Sequence, residues 1–135
     1  MTRYAIDAPV ALALVRADAH VRTGDSLVAP AVLKSHVLSS LYGAVHAGDL
    51  ERRDARRDLE RLAALKVRFL SDRVSRAVAW DLAERLGWDD PGPAEYLAVA
   101  SLQADVLVTE DPRLVAAASG IVTVEPVAVL LAPRS

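Results

Sequence analysis

Short apolar runs that end at an acid or a Pro/Gly break alternate along this chain with longer stretches of helical periodicity. Arg3 to Ile6 reads as a strand ending at Asp7-Ala8-Pro9, with a helical pattern from Val10 to about Arg22 and a turn at Thr23-Gly24-Asp25. Ser26 to Ala29 is a second strand, and Pro30 suits the first turn of a helix over 31–47, whose Val32, Leu33, Val37, Leu38, Leu41 and Val45 recur at helical spacing until Gly48. The charged stretch 50–65 carries Leu59 and Leu62 on one face and predicts an amphipathic surface helix. Val67 to Leu70 predicts a third strand, and Asp72 caps a helix over 73–86 that closes at Gly87. Beyond the break in DDPGPAEYLAVA lies an Ala- and Leu-rich helix over 94–102, then the buried strand DVLVT (105–109) and Glu110-Asp111-Pro112. A short helix over 114–118, a strand over 121–124 and a terminal helix or tail over 126–131 complete the order βαβααβααβαβ. That order predicts an α/β fold, a parallel sheet flanked by helices, with no internal repeat or linker.

With 135 residues the chain is expected to form one domain over 1–135. An apolar fraction of 53% with 25% charged residues is that of a globular protein. Two Trp, three Tyr and one Phe are too few to fill a core, so Ala, Val and Leu must build it. The absence of cysteine excludes disulfides, thiolate metal sites and Cys nucleophiles. A formal net charge of -2 gives no global attraction to nucleic acid. Asp7 and Pro9 interrupt the apolar N-terminus, which excludes a signal-peptide reading, and no run is long enough to span a membrane. A cytoplasmic location is expected.

The chemistry concentrates at Asp7 and Asp111, each following a β-rich apolar run. In a parallel sheet the C-terminal strand ends converge on one edge, where open α/β folds bind ligands. Two carboxylates there can share a hard divalent cation, which takes oxygen ligands and activates water. From spacing alone the plainer reading of the same two residues is as helix N-caps, before Ala8-Pro9 and before Pro112. His20 and His46 lack the partners of a helical metal motif, and Ser35 and Ser39 lack a nucleophile-elbow context. ERRDARRDLERL (51–62) reads as a solvated face with Asp54–Arg57 and Asp58–Arg61 pairs, while Arg68, Arg73, Arg76 and Arg85 form a more suggestive cationic group near the sheet edge. Trp80 and Trp88 are expected to anchor the core or an interface.

YAIDAPVALAL, LVAPAVLKSHVLSSLYGAVHAGDL and AEYLAVASLQADVLVTEDPRL, in that order, resemble a PIN domain of the VapC-like toxin ribonuclease family. The resemblance covers nearly the whole chain and implies a three-layer α/β/α sandwich with a central parallel sheet. It also implies a toxin–antitoxin type system in which an acidic cluster holds Mg²⁺ or Mn²⁺ for endoribonuclease cleavage of RNA. Its first acid falls on Asp7 and its last on Asp111. The acid expected six residues after the Pro of the second-helix segment is here His36, and the one expected three residues before the Tyr of AEYLAV is Pro93. With two of four acids replaced, the resemblance implies a weakened metal-dependent ribonuclease, or alternatively a catalytically inactive PIN domain that binds protein or RNA. His36 is then a substitute ligand, better matched to Mn²⁺ or Zn²⁺ than to Mg²⁺. Asp90 and Glu95 are the nearby reserves, with Glu95 expected on another helix face because it lies about 200° from position 93. An antitoxin protein, RNA and a second copy are the implied partners, with the helix over 31–47 as the contact surface.

Overall fold

A computed structural model describes residues 1–131; positions 132–135 of the expected domain lie outside the described residues. The elements follow the predicted order: β1 (Arg3–Ile6), α1 (Ala8–Arg16), β2 (Ser26–Pro30), α2 (Val32–His46), α3 (Arg52–Ala64), β3 (Val67–Leu70), α4 (Arg73–Leu86), α5 (Ala94–Gln103), β4 (Val106–Val108), α6 (Pro112–Ala117), β5 (Thr123–Glu125) and α7 (Ala128–Leu131). The five strands are all parallel, in the order β3-β2-β1-β4-β5. The chain therefore winds outward from β1 to β3, crosses back, and continues from β4 to β5. Right-handed crossovers then set α1, α2 and α3 on one face of the sheet and α4, α5 and α6 on the other. The packing agrees, since α1, α2 and α3 touch one another while α5 lies on β1, β2 and β4 and against α4. The result is a three-layer α/β/α sandwich.

A sheet covered on both faces needs apolar residues at consecutive positions rather than in alternation. Ala5-Ile6, Leu27-Val28-Ala29 and Leu107-Val108 are buried accordingly, and α5 is buried along Ala94 and Tyr96 to Ala100 because it lies under the centre of the sheet. Among the described residues no helix is long and apolar enough to cross a membrane.

Four local readings differ from what the sequence predicts. The first helix ends at Arg16 rather than near Arg22, because Asp18 takes a left-handed conformation (φ 50) and the Asp18 and Ala19 amides donate to the Val15 and Leu14 carbonyls at 3.3 and 3.0 Å. That closure ordinarily uses Gly, so Asp hides it. Pro30 ends β2, in register with Leu70, instead of opening the next helix, a strand-end position that needs no proline N–H. Trp80 is 63% exposed, its indole N–H donating to Glu84 at 2.6 Å, which excludes the core and leaves the interface of its two expected roles. Asp54 does pair with Arg57 at 3.1 Å, but Asp58 is buried and pairs with Arg16 of α1 at 3.0 Å, while Arg61 donates to the Val15 carbonyl. Most of the charged face is exposed as expected, and it is Asp58 alone of its charged residues that is buried, in the seam between α1 and α3.

Candidate functional site

The strand order reverses between β1 and β4, and the crevice beyond their C-terminal ends is where open α/β sheets bind ligands. Asp7 leaves β1 and caps α1, its Oδ1 accepting from the Val10 amide at 3.1 Å. Its Oδ2 accepts from the Thr109 hydroxyl at 2.5 Å. Thr109 Oγ1 in turn accepts from the Asp111 amide at 3.1 Å, and the Asp111 side chain caps α6 by accepting from the Arg113 amide at 2.8 Å. β1 and β4 are thus laced together beyond the sheet by a chain running from the Asp111 N–H through the Thr109 hydroxyl to the Asp7 carboxylate.

Asp7 is only 3% exposed. Burial pushes its carboxyl above the ordinary aspartate range, the Thr109 and Val10 hydrogen bonds pull the other way, and the nearby Asp111 charge adds to the rise. The two acids the sequence singles out are therefore neighbours in one field.

On the helical side of the crevice, His36 of α2 and Tyr96 of α5 meet, His36 Nδ1 lying 2.6 Å from the Tyr96 hydroxyl. Burial, with the Asp7 and Glu95 charges behind it, holds the Tyr96 hydroxyl firmly protonated. It donates to a neutral Nδ1 or accepts from a protonated one. Glu95 is half-buried, and burial raises its carboxyl while His36 and Arg76 lower it and Asp90 raises it. Pro93 already has helical φ and ψ at the N-cap, so Glu95 stands about 200° around α5 from it. Asp90 is exposed and accepts from the Gly92 amide at 3.0 Å, and Glu110 turns away to accept from the Val127 amide.

A divalent cation is held by several converging oxygen ligands, which are themselves commonly hydrogen-bonded to neighbouring groups. Among the described residues no three His, Asp or Glu side chains converge to hold a metal ion, so the set Asp7, Asp111 and His36, with Asp90 and Glu95 in support, is not assembled. Both Asp7 oxygens are engaged by protein donors, as is His36 Nδ1. No buried side-chain polar atom among the described residues is left without a partner, so none is held open toward a ligand. Pro93 supplies no donor. The crevice thus brings two carboxylates, Asp7 and Asp111, where the resemblance implies four. Thr109 and Tyr96, which join the acids to the rest of the crevice, are not singled out by the sequence. Their signal is a hydroxyl at the end of an apolar strand and another inside an apolar helix.

This five-stranded parallel order gives an α/β fold like that of PIN domains. The chain is similar to PAE2754 from Pyrobaculum aerophilum at 25% identity and a TM-score of 0.73, over 96% of this chain and 94% of that one. It is also similar to VapBC-1 from nontypeable Haemophilus influenzae (14% identity, TM-score 0.62, over 93% of this chain and 98% of that one). VapBC2 from Rickettsia felis, solved bound to a DNA fragment from their promoter, matches at 10% identity and a TM-score of 0.59 over 92% and 98%. The last two likenesses are of fold alone. No family model matches the sequence, and no curated protein does.

Proposed function

We propose that the chain is a single VapC-like PIN domain of a toxin–antitoxin type system in which metal-dependent RNA cleavage is weakened, leaving partner binding as its main activity. The observation that carries this reading is the engagement of Asp7. The carboxylate best placed for catalysis is buried, capped and bonded to Thr109, and His36 and Pro93 bring no further carboxylate toward it. A partner-binding role has its own support on α2, where Leu38 and Tyr42 are 55% and 72% exposed on one helix face. That surface suits an antitoxin-like protein or a second copy of the chain.

Cleavage of a structured RNA with Mn²⁺ or Mg²⁺ tests the proposal. The natural chain is expected to cleave near background. The double substitution His36→Glu with Pro93→Asp, which completes the acid set and gives α5 a capping residue, is expected to raise metal-dependent cleavage by about a hundredfold, the scale of one well-placed catalytic contribution. That gain should vanish on adding Asp7→Asn. Robust cleavage by the natural chain, abolished by Asp7→Asn, overturns the reading in favour of an intact ribonuclease.

A further inference from the structure

At the opposite edge of the sheet from Asp7, β2 and β3 begin beneath the segment 17–25 that leaves α1. A cleft of about 440 Å³ opens there, in the range that encloses a small organic ligand. Leu14, Val15, Leu27 and Leu65 give it an apolar wall, and the first three belong to the buried core. Two cations stand over that wall. Arg61, in the last turn of α3, reaches the Val15 carbonyl at 3.4 Å, and Lys66 immediately precedes β3. Among the described residues neither has a carboxylate partner, in contrast to Arg16, Arg53 and Arg57 nearby. The acid on the rim, Asp18, lies 3.8 Å from His20. A second cleft of about 350 Å³ continues past Leu27 and Lys66 to Arg68 and lengthens the groove.

We propose that this groove binds a small amphipathic carboxylate, its hydrocarbon part on Leu14, Val15 and Leu27 and its anionic head between Arg61 and Lys66. An apolar wall gains from covering hydrocarbon, and two cations without a carboxylate partner among the described residues select a negative head over a neutral one. Single-stranded nucleic acid fits poorly, because among the described residues the cleft has no Phe, Tyr or Trp for a base to stack on, and its one ring, His20, is on the rim beside Asp18. The site is independent of the Asp7 crevice and of any RNA cleavage.

The test is an NMR titration of the full chain with 4-phenylbutyrate and, separately, its neutral amide. Saturable shifts are expected at the Val15, Leu27, Leu65 and Lys66 amides. Arg61→Gln and Lys66→Gln should each weaken binding about three- to tenfold, the scale of one partly solvated charge pair. Ala64→Phe, which fills the mouth, should abolish binding. Equal affinity for the amide, shifts confined to other surfaces such as Leu38 and Tyr42, or no shifts at millimolar ligand would each overturn the proposal. If Ala64→Phe does not fold, the two glutamine variants, both at exposed positions, still decide it.

Discussion

Asp7 and Asp111 leave the ends of β1 and β4, whereas His36 and Pro93 stand on α2 and at the start of α5, and the two pairs are held for different reasons. Each strand-end acid caps a helix, accepting from Val10 in one case and Arg113 in the other, and the two are linked through Thr109. Folding alone accounts for both. The helix positions have no such second duty. His36 bonds to the Tyr96 hydroxyl, and Pro93 caps α5 with no side-chain bond. An acid at a strand end is therefore weak evidence of catalysis in this fold, because the helix that follows needs a cap. The informative positions are thus 36 and 93, and here neither is an acid.

If the strand-end acids are structural, breaking their link should cost far more than altering the helical side. Thr109→Val keeps shape but removes the donor to Asp7 and the acceptor of the Asp111 amide, and should destabilise by about 2–3 kcal/mol, the cost of stranding a buried charged acceptor. Tyr96→Phe should cost about 1 kcal/mol, since the half-buried His36 can turn to water. Asp111→Ala loses an exposed cap and should cost about 0.5–1 kcal/mol. Urea unfolding followed by far-UV circular dichroism measures all three. A Thr109→Val cost below that of Tyr96→Phe would break the contrast.

The sheet was legible because each buried strand is a continuous apolar run closed by an acid or Pro, and the caps at Asp72 and Gly87 stand where the sequence sets them. What was hidden depends on partners remote in sequence. The His36–Tyr96 bond joins residues 60 positions apart and the Arg16–Asp58 pair residues 42 apart, and no local pattern announces either. The exposure of Trp80 is likewise set by packing, since Ala79 and Leu82 beside it are buried while Trp80 is not. The fold lives in local periodicity and is read from it. The state of the site lives in tertiary hydrogen bonds and is not.

The smallest expected effect is a change of slope. Asp7 binds its proton more tightly folded than unfolded, so its contribution to stability is fully present below the ordinary aspartate range and is lost as pH rises through the raised folded value. Glu95, raised mainly by burial, contributes with the same sign. Asp72 contributes oppositely, because the Ser75 amide and hydroxyl hold its carboxyl low, and its share is lost only as pH falls through that lowered value. Asp7→Asn keeps an acceptor for the Val10 amide and cannot titrate. Its Thr109 bond is weaker, so the variant should be less stable than the natural chain where Asp7 is protonated. That gap should narrow as pH rises and the natural chain alone bears a buried charge, leaving the Glu95 and Asp72 contributions common to both. Urea midpoints of the two proteins, taken from about pH 4 to about pH 7 across the carboxylate range, read the gap directly. Parallel profiles would mean that Asp7 keeps its charge at no cost, and a carboxylate so well solvated would be free to take part in chemistry after all.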